Sequence, residues 1–120
     1  MLHGEITEAI IGCAFDVINE LGSGFLESVY ESALMVEFAQ KNIDAERQKA
    51  IAVNYKGKQI GHFVADILVE GKVIVELKNV SFLTKEHQAQ AINYLKATGL
   101  KVALLINFGK PKLEYKRLTL

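Results

Sequence analysis

Val102-Ala103-Leu104-Leu105-Ile106-Asn107-Phe108 is an apolar run of strand length, interrupted only by Asn107. A strand of that kind is buried on both faces, so it belongs inside a sheet that is covered on both sides. The covers are legible elsewhere in the chain. Ile6, Ala9, Ile10, Cys13, Ala14, Val17, Ile18 and Leu21 recur at helical spacing, with Glu5, Glu8, Asp16 and Glu20 off the stripe. Gly22-Ser23-Gly24 ends this helix, and Leu26, Val29, Tyr30, Ala33 and Leu34 set a second one that reaches about Gln40. Lys85 to Thr98 is helical again, with Thr84 as N-cap and Gly99 just past the end.

Between the second and third helices the period falls to two. Ile51, Val53 and Tyr55 alternate with smaller or polar residues, and Lys56-Gly57-Lys58 reads as a turn. A strand from about Gln59 to Val69, the Glu70-Gly71 turn and a strand from Lys72 to Lys78 complete an antiparallel meander. Leu113 to Leu118 adds a short edge strand after Pro111. The predicted order is α-α-β-β-β-α-β-(β), an α/β sandwich around a mixed sheet. With 120 residues, no linker and no repeat, residues 1–120 are expected to form one domain.

Fourteen basic and fourteen acidic residues give no net charge. That balance argues against a protein that coats nucleic acid, because counterion release needs an excess of Lys and Arg. A local grip on a phosphate chain through a metal ion stays open. Cys13 stands alone, no run approaches the twenty apolar residues of a membrane span, and no basic segment leads into an apolar one at the start. A cytoplasmic protein without a membrane partner is the expectation. Lys110, Lys112, Lys116 and Arg117 form a basic stretch, either a phosphate-contacting rim or a solvated edge.

Two charged sites break apolar strands. Asp66 interrupts Phe63-Val64-Ala65-Asp66-Ile67-Leu68-Val69, and Val73-Ile74-Val75 ends in Glu76-Leu77-Lys78. A carboxylate with such flanks is costly to bury uncompensated. A two-residue turn at Glu70-Gly71 would place Asp66 and Glu76 on opposite faces. A three-residue loop Val69-Glu70-Gly71 would pair Leu68 with Lys72, putting Asp66 opposite Ile74 and diagonal to Glu76. The second register is the expectation, since diagonal partners lie roughly 7–8 Å apart and can share one divalent cation.

Asp66 followed by Glu76-Leu77-Lys78 resembles the PD-(D/E)XK nuclease signature, on the element order of that superfamily. Gly24-Phe25-Leu26-Glu27-Ser28-Val29-Tyr30 is similar to the motif of the GxxExxY family. Gln90-Ala91-Ile92-Asn93-Tyr94 resembles the Q-x-x-x-Y element of RecB-like nucleases, with His87 three positions earlier, and Leu104 to Gly109 fits the GxxExxY pattern too. Ala65 stands where the superfamily name has Pro. The resemblance implies a restriction-endonuclease-like fold and a nuclease acting on DNA or RNA, DNA ahead of RNA. It implies Mg²⁺ or Mn²⁺ as cofactor, with Asp66, Glu76 and Glu27 as ligands.

In the same reading Lys78 orients or deprotonates the attacking water. Gln90 and Tyr94 share a helix face and meet the scissile phosphate or buttress the carboxylates, and His87 touches substrate. Each has a plainer explanation: Glu76 and Lys78 as a surface ion pair, Glu27 as favourable charge in a helix's first turn, Tyr30 and Tyr94 as packing, His87 as an exposed helix residue. The alternative function is a nuclease-fold interaction module with slow or absent catalysis. A homodimer or a partner protein would supply the footprint that one small, neutral domain lacks.

Overall fold

The computed structural model describes residues Met1–Leu120. The elements are α1 (Gly4–Leu21), α2 (Glu27–Gln40), β1 (Ala45–Tyr55), β2 (Lys58–Val69), β3 (Val73–Lys78), α3 (Lys85–Thr98), β4 (Val102–Asn107) and β5 (Glu114–Thr119). The strands form one sheet in the order β1-β2-β3-β4-β5. Only β3 and β4 run parallel, joined by the α3 crossover; every other pair is antiparallel. This is the mixed α/β sandwich expected from the sequence. No helix is long and apolar enough to cross a membrane.

The apolar run of β4 is buried on both faces, as its composition requires. Val102, Leu104 and Ile106 join the core made with α1 and α2, which also holds Ile10, Leu34 and Phe38. Ala103 and Leu105 join the second core under α3, with Ala91 and Leu95. The parallel register sets Glu76 beside Leu105 and Lys78 beside Asn107. The strand that carries Glu76 and Lys78 therefore rests on the most deeply buried strand of the fold.

β1 begins at Ala45, six residues before the first alternating residue, Ile51. Ala45–Ala50 escapes the period-two pattern because in this edge strand only Ala45 packs on the core, while Arg47, Gln48 and Lys49 meet carboxylates. The β1–β2 hairpin pairs along its whole length, from Ala45↔Val69 to Tyr55↔Lys58, through a tight turn with Lys56 and Gly57 both at positive φ. β2 pairs with β3 only from Ile67 to Val69. Most of the hairpin thus runs past β3 as a two-stranded ribbon.

The β2–β3 register differs from both expected alternatives. Val69 pairs with Val73, so the three-residue loop is Glu70-Gly71-Lys72 rather than Val69-Glu70-Gly71. The Lys72 amide donates to the Val69 carbonyl at 3.0 Å across left-handed Glu70 and Gly71, which makes Lys72 part of the turn. Continuing the register places Asp66 level with Glu76 instead of Ile74. The pleat is also interrupted there. Ala65 joins the core under α3 while Ile67 joins the core under α1 and α2, although residues two apart normally share a face. Across the ribbon from Asp66, Gln48 has φ 50°. Both strands switch faces at this pair.

Candidate active site

Where β2 leaves β3, the backbone ladder stops and a side chain replaces it. The Leu77 amide donates to Asp66 Oδ2 at 2.8 Å, so a half-buried carboxylate satisfies a strand N–H that has lost its partner. Glu76 is 7% exposed and sits directly against Asp66. Burial and then the Asp66 charge push the Glu76 carboxyl up to about 8, and the two groups are close enough to share a proton. Lys78, half-buried at the end of β3, opposes that shift. No ion pair joins Glu76 to Lys78, which sets aside the surface salt-bridge reading.

Glu27 opens α2 and faces the same carboxylates from the other side. Partial burial and then Asp66 raise its carboxyl, with Lys78 acting against them. Tyr94 approaches from α3, its ring stacked on Phe63 at 3.8 Å between centroids. Its hydroxyl is held protonated by burial, then by Glu76 and Asp66. Asp66 thus has Glu76, Glu27 and Tyr94 near enough to feel its charge, and Lys78 near enough to act on Glu76 and Glu27. Gln90 lies one turn before Tyr94 on α3 and is exposed. His87 serves the helix itself: Nδ1 accepts from the Thr84 amide at 3.0 Å, and the His87 amide donates to Thr84 Oγ1 at 3.2 Å. Neither Gln90 nor His87 bonds to the carboxylate cluster.

A cleft of about 230 Å³ opens beside Asp66, lined by Glu27, Ser28, Glu31, Gln48 and Leu77. Three of its supports were not singled out from the sequence. Buried Glu31 accepts from Arg47 Nε at 3.0 Å and Nη2 at 2.7 Å through Oε2, and from Gln48 Nε2 at 2.6 Å through Oε1. The left-handed backbone of Gln48 brings its amide to Glu31 and the cleft. Glu31 carried a signal, because it stands one turn after Glu27 and breaks the buried stripe of α2 between Tyr30 and Leu34.

Two hydrogen-bonded clamps fix the elements that carry the site. The Tyr30 hydroxyl donates to the Gly22 carbonyl at 2.6 Å and accepts from the Phe25 amide at 3.2 Å, tying down the loop that starts α2. Its ring stacks on Phe108 at 4.4 Å. Fully buried Asn107 accepts from the amides of Val80 and Gly109 and donates to the Val80 carbonyl and Glu114. Gly109 lies against Val80 so closely that a Cβ would stand 2.4 Å from its N and O. The Phe108 amide donates to the Lys78 carbonyl at 2.9 Å, and Asn79 Nδ2 donates to the Phe25 carbonyl at 3.1 Å. Lys78 and Glu27 are thereby held by one connected framework.

The donor set is entirely oxygen, which suits a hard divalent cation rather than zinc. Buried Glu76 against Asp66 is a pair of carboxylates whose charges a cation would compensate. No three His, Cys, Asp or Glu side chains stand together as a ready-made ligand group, so Asp66 and Glu76 are the pair that fits. Water, the Leu77 carbonyl or a phosphate oxygen would complete the shell.

A family model described as the PD-(D/E)XK nuclease superfamily matches residues 4–118. The solved structure titled "Crystal structure of SSO0001" is similar, with a TM-score of 0.57 and 17% identity over 98% of this chain. The match covers 59% of that protein, so this chain spans less than two thirds of its length. No curated protein matches.

Proposed function

The chain belongs to the PD-(D/E)XK nuclease superfamily, and from that premise we propose that it hydrolyses phosphodiester bonds of nucleic acid with Mg²⁺ or Mn²⁺ held by Asp66 and Glu76. The observation that supports this reading is the convergence of Glu27, Asp66, Glu76 and Lys78 where β2 parts from β3. A bound cation supplies charge neutralisation at the phosphate and lowers the pKa of a water.

The residues around it have separable tasks. Asp66 and Glu76 bind as carboxylates, so Glu76 must give up the proton that its surroundings favour. Lys78 offers an ammonium to the attacking water or to a non-bridging oxygen as negative charge develops. Glu27, across the cleft, accepts a hydrogen bond from that water and aims it. Tyr94 presents a protonated hydroxyl to the phosphate from α3, and exposed Gln90 stands one turn before it on the same helix. The GxxExxY motif then has a physical role: Tyr30 fixes the loop that places Glu27.

The test is cleavage of single- and double-stranded DNA and RNA with Mg²⁺ or Mn²⁺, comparing wild type with Glu76→Ala and Lys78→Ala. The reading expects metal-dependent cleavage by wild type and a loss of at least two orders of magnitude in each variant. Equal cleavage by Glu76→Ala, or none by wild type with either metal, would favour the non-catalytic interaction module instead.

A further inference from the structure

The β1–β2 ribbon has a composition unlike the rest of the chain. Residues 47–65 hold four of the fourteen basic residues, Arg47, Lys49, Lys56 and Lys58, and none of the fourteen acidic ones. The remainder is correspondingly acidic, so the neutral total conceals a polarised molecule. Arg47 and Lys49 at the base have carboxylate partners in Glu31 and Glu46. Lys56 and Lys58 at the tip pair with no acid, and the Lys56 ammonium lies 5.4 Å from the Tyr55 ring. All nine residues from Asn54 to His62 are exposed, among them the hydrogen-bond donors Asn54, Tyr55, Gln59 and His62.

The geometry points to this ribbon as the element that docks a DNA duplex, its tip entering the major groove; the inference rests on the nuclease reading for its choice of ligand. The ribbon springs from Asp66 and Gln48, at the carboxylate cluster, so a duplex lying along it passes over the site. From Gln48 to Tyr55 a strand extends roughly 24 Å, the length of about seven base pairs. Half of it is braced, since Ile51 and Phe63 pack against the α3 core and Phe63 stacks on Tyr94. The remainder is a free two-stranded ribbon, and the major groove of B-DNA, about 12 Å wide, admits such a ribbon. The deep, narrow major groove of an RNA duplex does not. Association of two copies through these tips would bring like charges together, which disfavours the ribbon as a self-association arm.

The experiment measures binding of a 20-base-pair DNA duplex to the full chain by fluorescence anisotropy in EDTA, across a salt series. The variant carries Lys56→Asn with Lys58→Gln, because Asn tolerates the left-handed backbone of position 56. Loss of two phosphate contacts lowers the slope of log affinity against log salt by about 1.8 and weakens binding at 0.1 M salt more than tenfold. A control with Lys72→Gln and Lys101→Gln, both exposed and outside the ribbon and the basic stretch near the C-terminus, leaves affinity within about twofold of wild type. Unchanged affinity and slope in the ribbon variant, an equal loss in the control, no duplex binding by wild type, or equal ribbon dependence with duplex RNA would each overturn the assignment. A protein that binds DNA through the ribbon and never cuts it would refute the hydrolytic reading and uphold the ribbon's role.

Discussion

Replacing Glu76 by Gln probes the electrostatics of the site without emptying it. In the metal-free protein the Glu76 carboxyl is raised from 4.5 to about 8 by burial and then by Asp66. An acid raised on folding binds its proton more tightly in the native state, so stability falls as pH climbs between the unfolded and folded values. From pH 5 to pH 7 the unfolded chain has lost this proton and the native chain keeps it. The slope is about 1.4 kcal/mol per pH unit, giving a loss of roughly 2–3 kcal/mol over that interval. For a chain of this size that is about 10 °C in Tm.

Glu76→Gln removes the titrating group and preserves its volume, so its Tm in EDTA should change with pH by about 10 °C less than that of wild type. The variant should also be the more stable protein at pH 7. Mn²⁺ inverts the comparison, since a bound cation stabilises the ionised wild-type carboxylate and finds a weaker partner in Gln. The assay is thermal unfolding at pH 5, 6 and 7 in EDTA, repeated with Mn²⁺. Parallel pH profiles for the two proteins in EDTA would refute the placement of Glu76 as a buried acid facing Asp66.

Four further variants concern the framework. Tyr30→Phe deletes a hydroxyl that donates to Gly22 and accepts from Phe25, and should lower stability by about 1–2 kcal/mol in urea titrations while speeding amide exchange at Phe25. Gly109→Ala drives a Cβ into the Val80 backbone and should cost about 3 kcal/mol or more, whereas Gly12→Ala, on the exposed side of α1 with nothing within 4 Å, should stabilise by about 0.8 kcal/mol. Glu31→Gln leaves Arg47 without its carboxylate and should lower stability by about 1–2 kcal/mol, less at high salt because Arg47 is 46% exposed. Differential scanning calorimetry of these variants checks all four values.

The helices and the inner strands were readable because their signals are local. α1 and α3 are announced by stripes and caps, and β4 by an apolar run that only a doubly covered strand tolerates. The failures share a cause: they depend on partners far away in sequence. Ala45–Ala50 carries no alternating apolar signal, and its place in a strand shows only once Arg47 and Gln48 are seen bonded to Glu31 on another element. The β2–β3 register turned on a single amide, that of Lys72, closing a turn rather than entering the strand.

The carboxylate pair shows why chemistry was more legible than geometry. Asp66 and Glu76 stood out as charges in apolar strands, an anomaly that needs no partner to be visible. Alternation alone could not place them, because the pleat switches faces at Asp66 and Gln48. That switch has a consequence for the site. In a regular ladder Asp66 and Glu76 would point from one flat face, and the Leu77 amide would bond to β2 backbone. The parting of the strands instead frees the Leu77 amide to orient Asp66 while Glu76 stays anchored beside Leu105. A cleft with one carboxylate fixed by the core and the other by a backbone donor is the product of the broken ladder. The unsupported ribbon beyond it follows from the same break, so one local irregularity creates both the proposed catalytic notch and the arm that would deliver a duplex to it.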